Sequence, residues 1–279
     1  YSQQGQDDEA LNCFEQMQSE GHYGDEVTFV SILKVCASSR YIEKGKQIHD
    51  EIVARGLPTK NIMLGNALVD MYAKCGMMTK AQELHGKLYV KNVVSWNSLI
   101  AGYAEQGQGH EAIKCFEQMQ RDGFSPDVIT FVCILKACGR VGDIGKGKQV
   151  HEEIVKRKLL ENNIVLGSAL VDMYVKCGVL AKAQHVLERL SARNEVCWSA
   201  VIAGYIQQGL CHEAITCFEW MLKEGFSPNA VTLICILKAC GNLGAIVKGK
   251  LIHNVIISSG LLEKDIAIGT ALVDMYARC

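Results

Sequence analysis

The chain has 279 residues, 29 Lys and Arg against 30 Asp and Glu, and a formal net charge of −1. This balance excludes a strongly basic nucleic-acid binder and a polyanionic tail, but not a local basic stripe. Apolar residues at 49% and only 3 prolines indicate a folded, helix-rich chain. No uncharged apolar run is long enough to predict a membrane-spanning helix. Because the first residue is Tyr1, we expect a fragment or processed form whose targeting segment is missing.

The whole chain repeats with one period and no gap. YSQQGQDDEALNCFEQMQ at Tyr1 returns as YAEQGQGHEAIKCFEQMQ at Tyr103 and as YIQQGLCHEAITCFEWML at Tyr205, each 102 residues on. Most of the 13 cysteines recur in the same register. We therefore interpret them as small apolar packing residues rather than a disulfide framework. No C-x-x-C occurs, so a structural zinc site is not expected.

Each period divides into three pairs of helical stretches. Residues 93–127, 128–163 and 164–194 each carry apolar residues at i, i+3, i+4 and i+7 in two segments separated by a glycine. Gly123, followed by Ser125-Pro126-Asp127, is a typical helix stop. A helical hairpin cannot bury its apolar face alone, so stacked hairpins must share a core. The sequence predicts an all-α solenoid of helix-turn-helix repeats.

The unit lengths of 35, 36 and 31 residues and the motifs within them closely resemble pentatricopeptide repeat proteins of the PLS subclass, found chiefly in land plants. WNSLIAGYAEQGQGHEAIKCFEQMQRDGFSPD resembles the P motif, TFVCILKACGRVGDIGKGKQVHEEIV the L motif, and GSALVDMYVKCGVLAKAQHVLERLSARN the S motif. The resemblance implies a right-handed superhelix. It divides residues 1–279, as one array, into a partial P motif (1–25), L (26–61), S (62–92), P (93–127), L (128–163), S (164–194), P (195–229), L (230–265) and a partial S motif (266–279).

Short polar residues recur at two places in the P and S motifs. Counted from the first residue of each motif, position 5 is Asn66, Asn97, Ser168, Ser199 or Thr270, and the last position is Asp25, Asn92, Asp127, Asn194 or Asn229. Asn both donates and accepts, whereas Asp only accepts, so such pairs can read the edge of an unpaired base. A last-position Asn or Asp is also a plausible N-cap for the next helix, and this alternative stays open. In L motifs position 5 is Val30, Val132 or Ile234, which predicts spacers that read bases weakly.

Positions 2, 9 and 13 share roughly one helix face with position 5. The resemblance implies that position 2 sandwiches the bases, and we assign that role to Val94, Val165 and Val196; plain core packing is the alternative. Six cations on this face are predicted to contact phosphates, unless they simply solvate the helix: Lys34, Lys74, Lys136, Lys176, Lys238 and Arg278. A second lysine set begins the second L helix and is assigned no RNA role: Lys44, Lys46, Lys146, Lys148, Lys248 and Lys250.

The resemblance implies sequence-specific binding of single-stranded RNA, one base per repeat, as the address module for RNA processing by C-to-U editing in the mitochondrion or chloroplast. By the family's pairing tendencies the target is (U/G)-n-(C/U)-U-n-A-A-n-(A/G), written 5′ to 3′, where each n lies at an L motif. Editing-factor accessory proteins are expected on the L motifs, and DNA and membranes are not expected partners. The alternative is a protein-binding scaffold with the same helical repeats.

No enzyme is predicted in this chain. His49-Asp50-Glu51 matches the H-x-E of zinc deaminases, but the third copy is His253-Asn254-Val255 and no P-C-x-x-C follows. We therefore interpret these histidines as structural. No P-loop and no G-x-G-x-x-G occur, so we expect no cofactor and no metal.

Overall fold

A computed structural model describes residues 3–56, 61–161, 163–191, 193–258, 260–262 and 265–279, with side chains from residue 6 onward. These ranges contain sixteen α-helices and no strand. The all-α class predicted from the sequence is confirmed. The chain divides into two compact units, Tyr1–Ala137 and Cys138–Cys279.

Eight helices begin in the first unit: α1 (Gln3–Ser19), α2 (Glu26–Ser39), α3 (Ile42–Ala54), α4 (Ile62–Lys74), α5 (Met78–Lys87), α6 (Val93–Glu105), α7 (Gly109–Arg121) and α8 (Val128–Val141). Eight more follow: α9 (Ile144–Lys156), α10 (Ile164–Lys176), α11 (Leu180–Arg189), α12 (Glu195–Gln207), α13 (Cys211–Lys223), α14 (Ala230–Leu243), α15 (Ile246–Ser258) and α16 (Ile266–Arg278). From α2 onward, even-numbered helices are the first and odd-numbered helices the second of each hairpin.

Every first helix starts directly after a short polar residue. The side-chain oxygen of Asp25, Asn61, Asn92, Asn163, Asn194, Asn229 or Asp265 accepts a hydrogen bond from a backbone N–H of the first turn. Asp127 does the same for Thr130 of α8, at 2.8 Å. These oxygens satisfy N–H groups that have no partner inside the helix. The capping role that the sequence left open is therefore real at all eight boundaries.

Glycines occupy two kinds of position in the hairpins, the turns between helices and the contacts where two helices meet. Gly107 and Gly209 lie in the turns after α6 and α12 with φ of +77° and +74°, a left-handed backbone that a side chain would strain. Gly45 instead lets two helices meet, because a Cβ there would lie 2.5 Å from the Met71 sulfur. Gly147 has the same relation to Met173 one period later, and Gly249 to Met275 two periods later.

The first helices pack side by side: α2, α4 and α6 in the first unit, and α10, α12, α14 and α16 in the second. The second helices pack against them, for example α5 on α4 and α13 on α12. The largest fully buried side chains include Phe29, Tyr174 and Trp198. All thirteen cysteines are free thiols, and burial raises the pKa of several, as for Cys115 at about 11. None of the helices described is both long and apolar enough to cross a bilayer.

Candidate nucleic-acid interface

Apolar side chains at position 2 form a recurring exposed set on the first helices. Val94, Val165 and Val196 are 58%, 65% and 60% exposed. Val27, Met63, Ile129 and Val231 are exposed to a similar degree. Core packing, the alternative left open by the sequence, does not account for these residues. An exposed aliphatic side chain repeated at one position offers a flat apolar surface.

Asn97 and Asp127 form a hydrogen-bonded pair in the first unit. The Asn97 amide Nδ2 lies 3.0 Å from each Asp127 carboxylate oxygen. Asp127 Oδ1 also accepts from the Thr130 backbone N–H at 2.8 Å, so one oxygen caps the helix. Oδ2 also receives the Asn97 amide and keeps acceptor capacity, since an ionised carboxylate oxygen takes more than one bond. The pair therefore presents an acceptor.

Burial and hydrogen bonding act in opposite directions on the Asp127 carboxyl. Burial alone would raise its pKa, but bonds from the Thr130 backbone, the Asn97 amide and the Thr130 hydroxyl together hold the pKa below its ordinary value. Asp127 is therefore ionised at physiological pH, and its outward oxygen accepts but cannot donate.

Ser199 and Asn229 form the equivalent pair in the second unit, with the opposite hydrogen-bonding character. Asn229 Oδ1 caps α14 by accepting from the Thr232 N–H at 2.9 Å, which turns its amide nitrogen the other way. That nitrogen donates to Ser199 Oγ at 3.1 Å and has a second N–H to offer. This pair therefore presents a donor where the first presents an acceptor.

The S-motif pairs are brought together in the same way but at longer distances. Asn66 Nδ2 donates to Asn92 Oδ1 at 3.3 Å, and Asn194 Nδ2 donates to Ser168 Oγ at 3.4 Å. Two further predicted residues stand apart from any such pair among the described residues. Asp25 accepts from the backbone and hydroxyl of Thr28, and the exposed Thr270 donates to the Ile266 carbonyl.

The L-motif sites lack a polar pair. Val30 is buried, and the cap that follows it, Asn61, donates to Glu26 instead. In the second unit Ile234 stands at position 5, and Asp265 caps α16. The caps of these motifs therefore have no hydrogen-bonding partner at position 5.

Two cavities open beside position 5 of S motifs. One, of about 290 Å³, is lined by Val30, Lys34, Met63, Asn66, Ala67, Asp70, Val94 and Ser98. The other, of about 520 Å³, is lined by Ile234, Lys238, Ala267, Thr270, Ala271, Asp274 and Arg278. Each combines apolar position-2 side chains, a position-5 residue and charges from position 9. Such a mixture can hold a flat heteroaromatic ring with a polar edge.

Half of the predicted cationic stripe is paired with carboxylates. Lys74, Lys176 and Arg278 bind the aspartate one turn earlier, at 2.9, 2.6 and 2.8 Å. Lys34, Lys136 and Lys238 make no ion pair within the described part of the chain. Three of the six cations are therefore partly neutralised by their own helices, and the phosphate role of all six stays a prediction.

Sequence comparisons identify the repeat. The model of the PPR repeat family matches residues 91–160 and 193–242, and the model of the PPR repeat matches residues 1–22, 27–57 and 66–93. The chain belongs to the pentatricopeptide repeat (PPR) family. It is 36% identical over 278 residues to pentatricopeptide repeat-containing protein At4g18520, chloroplastic, from Arabidopsis thaliana. It is also 33% identical over 279 residues to putative pentatricopeptide repeat-containing protein At3g25060, mitochondrial, from the same plant.

The alignments cover 100% of this chain but 45% and 46% of the two relatives, so the chain spans less than half the length of either. Relatives that carry a compartment in their names are chloroplastic or mitochondrial, which is the localisation predicted from the sequence. Among solved structures, the PPR protein PPR10 in complex with an 18-nt psaJ RNA element superposes with a TM-score of 0.69 at 20% identity. That match covers 90% of this chain and 37% of PPR10, and it confirms the helical-repeat solenoid fold.

The three recurring histidines and part of the second lysine set of the PPR array have structural partners. Nδ1 of His49, His151 and His253 lies 2.9, 2.8 and 2.9 Å from a tyrosine hydroxyl 23 residues later. Lys44 and Lys248 bind glutamates of the preceding second helix, at 2.5 and 2.6 Å. Among the described residues no group of three or more His, Cys, Asp or Glu is placed to hold a metal.

Sequence reasoning missed the threonines that touch the polar pairs. Thr130 and Thr232 are fully buried, and each hydroxyl contacts a position-5 side chain of the preceding P motif. A signal was present, since both stand three residues after a capping Asp or Asn, where a hydroxyl commonly completes a cap. Nothing in the sequence indicates that the same hydroxyl reaches back to the preceding motif.

Proposed function

We propose that this chain binds single-stranded RNA sequence-specifically, with one base at each P or S hairpin. The observation that supports this most strongly is the hydrogen-bonded pairing of position 5 with the last position at all four complete P and S sites. A residue needed only as a cap has no reason to contact a side chain 26 or 30 residues earlier. The pairing builds one polar edge per hairpin beside the exposed apolar side chains.

The outward atoms of the two P sites suit different bases. Uracil offers its N3–H as a donor, which matches the free oxygen of Asp127. Adenine offers N1 as an acceptor, which matches the free N–H of Asn229. Hydrogen bonds to the Watson–Crick edge are the usual way in which proteins read unpaired RNA bases. We therefore assign U to Asn97/Asp127 and A to Ser199/Asn229.

The surrounding residues supply affinity. Val94, Val165 and Val196 would lie against the base faces, and Lys34, Lys136 and Lys238 would attract the phosphates. PPR10, whose fold this chain shares, was solved with an RNA element, and that supports RNA as the ligand class. The assignment of Asn66/Asn92 to C or U, and of Ser168/Asn194 to A, follows the same scheme.

We further propose that the array is of the PLS subclass and directs C-to-U editing of organellar transcripts. The short S motif is supported by α5 and α11, which have 10 residues each, whereas α7 and α13 have 13. The catalytic step would be supplied by another domain or protein. Accessory proteins would dock on L motifs, whose position 5 has no base-reading group.

The test is binding of the chain to two RNAs, one with the core (U/G)-n-(C/U)-U-n-A-A-n-(A/G) and one scrambled, at two salt concentrations. We expect a preference for the core that persists at the higher salt, because hydrogen bonds to bases are screened less than phosphate contacts. Equal, salt-sensitive binding to both RNAs would contradict base reading. Absence of binding to either would favour the protein-binding scaffold.

A matched variant, Asn97→Val, removes the hydrogen-bonding group of one pair and leaves the Asp127 cap in place. It should weaken discrimination at the fourth nucleotide of the core and at no other. Val132 is a natural valine at position 5, so the helix accommodates this side chain. Loss of a protein partner with unchanged RNA discrimination would instead support the scaffold.

A further inference from the structure

Behind each P-motif pair lies a buried hydroxyl that is not part of the pair. Thr130 Oγ1 is 2.6 Å from Asn97 Oδ1 and 2.9 Å from Asp127 Oδ1. In the second unit, Thr232 Oγ1 is 2.7 Å from Ser199 Oγ and 2.9 Å from Asn229 Oδ1. Both threonines are 0% exposed, so no nucleotide can touch them. They act, if at all, through the pair.

In the first set the hydroxyl fixes the orientation of an amide. Thr130 Oγ1 carries one proton and has two acceptors within reach, Asn97 Oδ1 at 2.6 Å and Asp127 Oδ1 at 2.9 Å. The shorter contact places the hydroxyl against the Asn97 carbonyl oxygen, while the Asn97 amide nitrogen faces Asp127. A reversed Asn97 would turn its carbonyl oxygen toward the carboxylate, where two acceptors repel each other, and would lose the hydroxyl donor. Thr130 and Asp127 therefore select one orientation of Asn97 together.

In the second set the hydroxyl fixes the orientation of the cap. Thr232 offers both its backbone N–H and its O–H to Asn229 Oδ1. Two donors on one oxygen hold the Asn229 nitrogen on the opposite side, toward Ser199. Without the hydroxyl, the Asn229 oxygen would keep only the backbone N–H as a donor, and the amide would be held in this orientation less strongly.

The third residue of the following helix is apolar in the L motifs, where position 5 is apolar. In the L motif with Val30 at position 5, the third residue of the next helix is Leu64. In the L motif with Ile234 at position 5, it is Ile268, and both of these third residues are buried. In the Asn66/Asn92 set the third residue is Ser95, whose hydroxyl bonds the Asn92 backbone instead. The consequence is visible there, because Asn66 Oδ1 is buried and has no hydrogen-bond partner among the residues that the structure describes.

We propose that Thr130 and Thr232 are positioning residues that hold each pair in one orientation, so that the group its last residue presents to the base is fixed in place. The proposal rests on the RNA-binding function proposed above. A base-reading unit is then a set of three side chains drawn from two motifs, of which the RNA meets only two. The third side chain, the buried threonine, influences base specificity without contacting the RNA.

The experiment uses two isosteric variants, Thr130→Val and Thr232→Val, in the full chain. Affinities are measured for RNAs that carry each of the four bases at the fourth or the seventh nucleotide of the core. Loss of one hydrogen bond should lower discrimination about two- to tenfold. We expect Thr130→Val to lose it at the fourth nucleotide only, and Thr232→Val at the seventh only.

A merely structural threonine gives a different result. It would lower the melting temperature and leave both discrimination ratios unchanged, which would overturn the proposal while the parent chain still discriminates. If the parent chain does not discriminate at all, the proposed function fails and this role fails with it.

Discussion

The two P sites occupy the same place in the repeat, 102 residues apart, and differ in only two side chains of the polar set. Asn97/Asp127/Thr130 becomes Ser199/Asn229/Thr232. In both, Oδ1 of the last residue caps the next helix and contacts the threonine. The two sites differ in the second polar atom of the last residue's side chain, which is a carboxylate oxygen in Asp127 and an amide nitrogen in Asn229. Capping therefore holds the residue in place and lets a single substitution change the group it presents.

The largest effect is expected from converting one site toward the other. Asp127→Asn keeps the cap oxygen but replaces the outward acceptor with a donor. Preference at the fourth RNA nucleotide should move from U toward C and A, because cytosine N3 and adenine N1 are both acceptors. The change in the U-to-C affinity ratio should correspond to about 1.5–3 kcal/mol, as for hydrogen bonds to charged groups. Titration of RNAs differing at that nucleotide measures it.

Asn229→Asp is the reciprocal control at the second P site. It should abolish the preference for A at the seventh nucleotide and leave the fourth unaffected. If either substitution changed affinity uniformly across all bases, the outward atom would not be the group that reads.

A second difference between the copies concerns acid stability. His85 is 3% exposed against Trp96, whereas the equivalent residue one period later is Leu187. Burial lowers the pKa of His85 to about 4 from 6.5, with Lys91 contributing. Since the folded pKa is the lower one, the stabilisation is complete above pH 6.5 and is lost as pH falls toward 4.

The loss attributable to His85 should be roughly 2 kcal/mol across that range. Urea unfolding of the parent and of His85→Leu at several pH values isolates it, since other groups titrate in both proteins. Parallel pH profiles for the two proteins would show that His85 is not protonated on unfolding.

What the two P sites share can be tested through stability. Asp127→Ala and Asn229→Ala each remove a cap oxygen, and both should lower the free energy of unfolding by about 1 kcal/mol. Asn61→Ala at an L boundary provides a cap without a polar partner. If the P-site caps contributed much less than Asn61 to the free energy of unfolding, their positions would favour RNA binding over capping of the helix.

The smallest expected effect separates the cations of L and S motifs. Lys34→Ala should lower the salt dependence of RNA binding by about 0.7 in log–log slope, the value for one contact with a single strand. Lys74→Ala should change it less, because Asp70 already neutralises that charge at 2.9 Å. Binding isotherms over a salt series distinguish the two. Equal slopes would mean that Lys74 leaves Asp70 when RNA arrives.

The sequence was sufficient for the helical hairpins because the apolar period, Gly107 and the Pro126-Asp127 boundary are local signals. Residues that it singled out at position 5 and the last position, such as Asn97 and Asp127, are hydrogen-bonded to each other. It could not decide between capping and base reading at Asp127, because both use the same residue; in the structure Oδ1 caps the next helix, and base reading stays a prediction. The burial of Thr130 against Asn97 depends on how two first helices pack, which no local pattern encodes. The ion pair between Asp70 and Lys74 could have been predicted from its i, i+4 spacing.

The polar set has a consequence for how such arrays can be recombined. Each set begins at the fifth residue of one motif and ends at the third residue of the next, so a junction at a motif boundary, before Val128, separates Asp127 from Thr130. Segments cut from Trp96 to Thr130, or from Trp198 to Thr232, keep every member together. Exchange of these offset segments should transfer base preference intact, whereas exchange of whole motifs should produce hybrids whose third member comes from the recipient.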